Sequence, residues 1–154
     1  MNIEELLSRE SVVLRGGASS KRQALHVVAD AAAEVLGLPA SRIFDALLER
    51  EALGSTGLGS GVAVPHARIE GLDRVAGVLV RLDQPVAYEA VDDRPVDLLF
   101  ALFAPPSAGA EHLRALAAVS RALRDPQTRE RLRQARTVDA IHALFMKDAP
   151  ATAA

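Results

Sequence analysis

The sequence predicts an α/β domain: a mixed central β-sheet flanked by helices on both faces. Three observations lead there. Apolar residues recur at helical spacing in segments before, between and after strand-like runs, without strict βαβα alternation. The run Leu98 to Phe103 is apolar at every position, which suits a strand buried on both faces. The chain has 154 residues, 49% of them hydrophobic, enough for one compact core, and shows no repeat or long linker to divide it.

Each element follows from local pattern. Val12 to Leu14 reads as a short strand before a turn at Gly16-Gly17. Ser20 begins a helix, with Gln23 three residues on completing a capping-box pattern. Leu25, Val28, Ala29, Ala32, Val35 and Leu36 mark its apolar face, and Gly37 ends it. Pro39 and Ser41 introduce a second helix, with Ile43, Phe44, Leu47 and Leu48 on its buried side, closing near Gly54. A glycine loop and a short strand at Val62 to Val64 follow. Val75 to Leu82 and Val96 to Phe103 read as strands, with Gln84 to Val91 as an added edge segment. Three helices close the chain: Ala110 to Leu123, Pro126 to Gln134 and Val138 to Met146. Asp125 and Thr137 are the expected N-caps of the last two. The domain is expected to span residues 1–147, and Asp148 to Ala154 to form a disordered tail.

Composition excludes several classes. Formal net charge is -2, so there is no basic excess to drive nucleic-acid binding. Cysteine is absent, which removes disulfides, thiolate metal sites and cysteine nucleophiles. The start, MNIEELLSRE, lacks the basic-then-apolar order of a signal peptide, and no apolar stretch is long enough to span a bilayer. A cytoplasmic location without direct membrane insertion is expected. No histidine pair has helical i, i+4 spacing, so no metal centre and no cofactor is expected.

The chemistry concentrates between Arg50 and Arg68. Gly54, Gly57, Gly59 and Gly61 stand among Ser55, Thr56 and Ser60; alone they read first as a flexible turn between a helix and a strand, and otherwise as a loop whose amides and hydroxyls face an anion. It matches neither a P-loop nor a dinucleotide fingerprint nor a hydrolase elbow. Pro65 follows the strand, fixes its own φ and pushes Val64 toward extended backbone. His66 therefore emerges at a defined point at the end of the strand. A neutral imidazole has one unprotonated nitrogen able to attack phosphorus, and phosphoryl transfer needs mainly positioning and charge stabilisation. Arg50 and Arg68 flank the segment as phosphate ligands or as solvated surface charges. His112, near the start of a helix, reads from spacing alone as a surface residue. His26 and His142 read as structural or exposed.

The residues Arg50-Glu51-Ala52-Leu53-Gly54-Ser55-Thr56-Gly57-Leu58-Gly59-Ser60-Gly61-Val62-Ala63-Val64-Pro65-His66, with the later EHLRALAAVSRAL, resemble the enzyme IIA domains of the fructose–mannitol class of the bacterial phosphoenolpyruvate-dependent phosphotransferase system. The resemblance covers roughly Ile3 to Lys147 and implies the same mixed-sheet fold. It implies that His66 is the phosphorylated nucleophile, on Nε2, that His112 is a second active-site histidine, and that Arg50 binds the phosphoryl group. It implies that Ser55 and Thr56 line the pocket. It also implies partners: an HPr-like phosphohistidine donor, and either regulatory target proteins or a IIB subunit of a sugar permease. The free-standing length resembles the nitrogen-regulatory type. Two other readings stay open at this point: a binding module of the same fold without transfer, and, more weakly, a hydrolase using His66 as base.

Overall fold

The computed structural model describes residues 2–146. The expected tail, 148–154, lies outside the described residues. Strands are β1 (Val12–Gly16), β2 (Gly57–Gly59), β3 (Val62–Ala63), β4 (His66–Arg68), β5 (Ala76–Val86) and β6 (Val96–Ala104). Helices are α1 (Lys21–Leu36), α2 (Ala40–Ala52), α3 (Gly109–Arg124), α4 (Pro126–Gln134) and α5 (Val138–Met146). Two short 3₁₀ turns, Ile3–Leu6 and Arg9–Ser11, precede β1. Among the described residues no helix is long and apolar enough to cross a membrane.

The sheet is mixed and β6 is its axis. The order is β1-β5-β6-β3-β2, with β4 also on β6. β5 runs antiparallel to β6 on one side, and β3 and β4 run parallel to it on the other. Successive β6 side chains go to opposite faces, as the pleat requires. Leu99, Ala101 and Phe103 join a cluster with Leu25 and Val28 of α1 and Ile43 and Leu47 of α2. Leu98, Phe100 and Leu102 join Val119 and Leu123 of α3, Leu132 of α4, and Ile141 and Phe145 of α5. The sheet thus lies between two helical layers, and burial on both faces explains the unbroken apolar run.

Local chemistry sets the helix ends. The Ser20 side chain accepts from the Gln23 amide, and Gly37 closes α1 at φ 69°. Asp125 accepts from the Gln127 amide ahead of Pro126, and Thr137 accepts from Ala140. Three details differ from the sequence expectation. Gly16 belongs to β1 and the turn starts one residue later. The edge segment is an extension of β5 that stops at Val86, still opposite Val96. Pro85 lacks an N–H, and the ladder is irregular between Arg81 and Val86. The largest difference is that the glycine loop is itself a hairpin, β2–β3. It turns at Ser60 and Gly61, with φ 56° and 81°, the positive pair a two-residue hairpin loop needs. The Asp92 carboxylate accepts from the Ser60 amide at 2.9 Å and supports the strained serine.

Candidate functional site

Proline 65 makes the site. β3 pairs with β6 at Leu98 and Leu99, and β4 resumes the pairing at Leu102, Phe103 and Ala104. Between them Pro65 gives only a carbonyl, which accepts from the Leu102 amide at 2.9 Å. The Val64 amide turns the other way and donates to the Thr56 carbonyl at 3.0 Å. His66 therefore opens a three-residue strand that pairs with β6 on one side only. The end of α2, carrying Arg50, and the first turns of α3, carrying His112, close around it.

Two hydrogen bonds define the His66 ring. Nδ1 lies 2.9 Å from the Val64 carbonyl oxygen. A carbonyl can only accept, so Nδ1 carries the proton. The Arg50 guanidinium Nε–H lies 3.1 Å from Nε2. Arginine can only donate, so Nε2 presents its lone pair. Both contacts select one tautomer, with Nε2 as the free base. Burial pushes the His66 pKa below the ordinary imidazole value; the Val64 bond and Glu51 oppose this, and Arg50 reinforces it. The ring is half-buried, and the neutral form, with a lone pair on Nε2, is favoured. Arg50 is itself steadied by donating to the Gly54 carbonyl at 2.8 Å.

His112 stands beside it, with ring centroids 5.7 Å apart and planes tilted by 59°. It is only 3% exposed, and its Nδ1 is buried without a hydrogen-bond partner. A proton on that nitrogen would be an orphaned buried donor, so the neutral ring carries its proton on Nε2. Burial lowers the His112 pKa, and repulsion of its cation by a protonated His66, and then by Arg68, lowers it further. A cavity of about 630 Å³ opens over both rings, lined by Arg50, Leu53, His66, Arg68, His112 and Leu113 among others. Leu53 and Leu113 stand out at its rim, 84% and 63% exposed.

The structure thus brings His66, His112, Arg50 and Arg68 to one cavity. It does not bring Ser55 and Thr56 there. The Ser55 hydroxyl donates to the Tyr88 carbonyl and accepts from the Gly57 amide. The Thr56 amide and hydroxyl both go to the Glu51 carboxylate. The amides of Thr56, Gly57 and Ser60 are all committed to internal side chains, so these amides do not form an anion cradle. Gly57 serves packing instead: a Cβ there would sit 2.7 Å from the Cβ of Ala90. Sequence reasoning missed the Val64 carbonyl, and also a buried polar cluster of Lys21, Glu51 and Tyr88 beneath the loop. The available signals were the acid beside Arg50 and the lone tyrosine of a chain poor in aromatics.

Comparison with known proteins adds a family context. A family model described as phosphoenolpyruvate-dependent sugar phosphotransferase system, EIIA 2, matches residues 5–148. The nitrogen regulatory protein of Bradyrhizobium diazoefficiens is 43% identical over 154 residues, covering 100% of each chain. The crystal structure of nitrogen regulatory protein IIA-Ntr from Neisseria meningitidis superposes with a TM-score of 0.88 at 33% identity, over 93% of this chain and 98% of that one. IIA mannitol from Escherichia coli superposes with a TM-score of 0.75 at 25% identity, over 90% and 98%.

Proposed function

We propose, from the premise that this chain belongs to the EIIA 2 family of the phosphoenolpyruvate-dependent sugar phosphotransferase system, that it is a histidine phosphocarrier whose acceptor atom is His66 Nε2. The observation that carries this reading is the double restraint on that ring: Nδ1–H is held by Val64 and the Nε2 lone pair faces Arg50.

The geometry supports an in-line transfer. A donor phosphohistidine approaches through the cavity, over the apolar rim of Leu53 and Leu113. As the Nε2–P bond forms, the donor's N–P bond breaks and its nitrogen leaves with the electron pair. The Nε2 lone pair must be released first, so Arg50 moves its N–H groups from the ring to the phosphoryl oxygens. Positive charge grows on the His66 ring during the step, and the Nδ1–H bond to the Val64 carbonyl stabilises it. His112 Nε2–H donates to a phosphoryl oxygen, and Arg68 adds positive potential at the cavity. The half-buried setting of the ring strengthens each of these interactions. The step is reversible because one N–P bond is exchanged for another of the same kind, and excluding water keeps the phosphoryl group from hydrolysis.

The donor is an HPr-like phosphohistidine protein in the cytoplasm. The strong likeness to nitrogen regulatory proteins favours an output by binding regulatory targets in one phosphorylation state. The likeness to IIA mannitol supports a second reading, in which a IIB subunit receives the phosphate.

The test is incubation with a phosphoenolpyruvate-driven relay of enzyme I and an HPr-like carrier. Wild-type protein takes up one acid-labile phosphate and His66→Ala takes up none. Equal labelling of His66→Ala overturns the reading. Addition of a purified IIB subunit then separates the two outputs, since only the second drains the label.

A further inference from the structure

Beneath the hairpin lies a part-buried ion pair that phosphoryl transfer, as described so far, does not use. The Glu51 side chain is 5% exposed and the Lys21 side chain 19%, with Lys21 Nζ 2.9 Å from Glu51 Oε1. The ammonium also sits 4.5 Å from the centroid of the Tyr88 ring. Glu51 accepts from the Thr56 amide at 3.1 Å and from the Thr56 hydroxyl. Tyr88 Oη meets the same hydroxyl oxygen at 3.2 Å. Thr56 is therefore held at its amide and its side chain.

Its remaining backbone group, the carbonyl, accepts from the Val64 amide at 3.0 Å. The Val64 carbonyl in turn accepts from His66 Nδ1 at 2.9 Å. The contacts run without a gap from Lys21 through Glu51, Thr56 and Val64 to the ring. Among the described residues no other acceptor faces that ring proton. Pro65 fixes its own φ and holds Val64 extended, so the direction of the Val64 carbonyl depends on how the Val64 amide is anchored on the other side. Val64 is buried on the α3 side, so its side chain and its amide together leave the carbonyl one direction.

A buried ion pair is a poor way to add stability, because its desolvation cost offsets most of the attraction. A neutral, apolar filling would pack the same space. What an apolar filling cannot do is hold both polar groups of Thr56 in one orientation.

We propose that Glu51, held by Lys21, is a positioning residue for the phosphoacceptor: through Thr56 and Val64 it aims the carbonyl that keeps the proton on His66 Nδ1 and leaves Nε2 open to phosphorus. This rests on the reading of His66 as the acceptor. Loss of the link lets the Val64 carbonyl swing, weakens the Nδ1–H bond and admits the Nε2–H tautomer, which cannot attack. Arg50 still opposes that tautomer, so the change is partial.

The experiment reads the tautomer directly on free, ¹⁵N-labelled full-length protein at a pH where the ring is neutral. Long-range ¹H–¹⁵N spectra of the wild type show His66 protonated at Nδ1 and bare at Nε2. In Glu51→Gln the two nitrogen shifts move toward each other as the Nε2–H form appears. The phosphorylation rate falls about tenfold, the equivalent of one lost hydrogen bond. Thr56→Val does the same, and Thr56→Ser, which keeps the hydroxyl, restores wild-type shifts and rate. Should Glu51→Gln fail to fold, Thr56→Val is read alone against Thr56→Ser. Unchanged His66 nitrogen shifts in the folded Glu51 or Thr56→Val variant overturn the proposal. An incorrect acceptor would show separately, as continued phosphorylation of His66→Ala.

Discussion

At the scale of single residues, the site is an exercise in keeping one nitrogen bare. His66 could hold its proton on either nitrogen. Val64 and Arg50 choose, one by accepting and one by donating. Arg50 holds the lone pair in the resting protein, and in the proposed mechanism it must leave it for the phosphoryl oxygens. Arg50→Ala is expected to slow phosphorylation by about 10²–10³, the range for losing one charge-stabilising donor. The same change raises the His66 pKa, because the arginine charge now helps depress it. Stopped phosphorylation assays and a histidine titration by NMR check both; an unchanged rate removes Arg50 from the mechanism. The pairing of His66 with Arg50 was legible in the chain because Pro65 and the flanking charges are neighbours in sequence. His112 was not legible from spacing. It lies far along the chain, and only the packing of α3 over the face of the sheet brings it to 5.7 Å from His66.

At the scale of elements, the glycine segment is where sequence leaves two readings, a turn between helix and strand or a loop whose amides face an anion. Here the amides of Thr56, Gly57 and Ser60 go to Glu51, Ser55 and Asp92. The segment folds as a hairpin whose glycines admit a tight turn and a close approach to Ala90. Gly57→Ala tests this. Its Cβ would lie 2.7 Å from the Ala90 Cβ and 2.9 Å from its Cα, and a backbone atom cannot yield as a flexible side chain can. The expected cost is about 1–3 kcal/mol of stability, seen as a lower melting temperature. A variant as stable as wild type would show that the hairpin is free to move away from residue 90. The missed strand β4 belongs to the same scale. Three residues after a proline carry too little pattern to read as a strand, and they become one only because β6 has open amides and carbonyls beside them.

At the scale of the whole molecule, two neutral histidines held at one sheet edge make folding sensitive to acid. Burial lowers the pKa of both His66 and His112 below the unfolded value of 6.5. Between the lowered values and 6.5 the unfolded chain binds more protons than the folded one. The contribution of these rings is therefore complete above pH 6.5 and lost as pH falls below it. Melting temperature should drop between pH ~7.5 and pH ~5.5, and a His66→Gln, His112→Gln double variant should lose less over that range. Equal losses in both proteins would show that the two rings do not govern the response. The layered architecture itself was readable, since periodicity records which faces are apolar and β6 is apolar on both. By itself the sequence determined the α/β class, the order of most helices and strands, and the histidine placed after a proline, because these depend on local spacing and on backbone limits that act within a few residues. Only the tertiary structure decided which partners meet that histidine: His112 from α3, the Val64 carbonyl, and the buried Lys21–Glu51 pair beneath Thr56. Those encounters are between groups distant in the chain or turned by a neighbouring strand, and hydrogen bonds leave no periodic trace in a sequence.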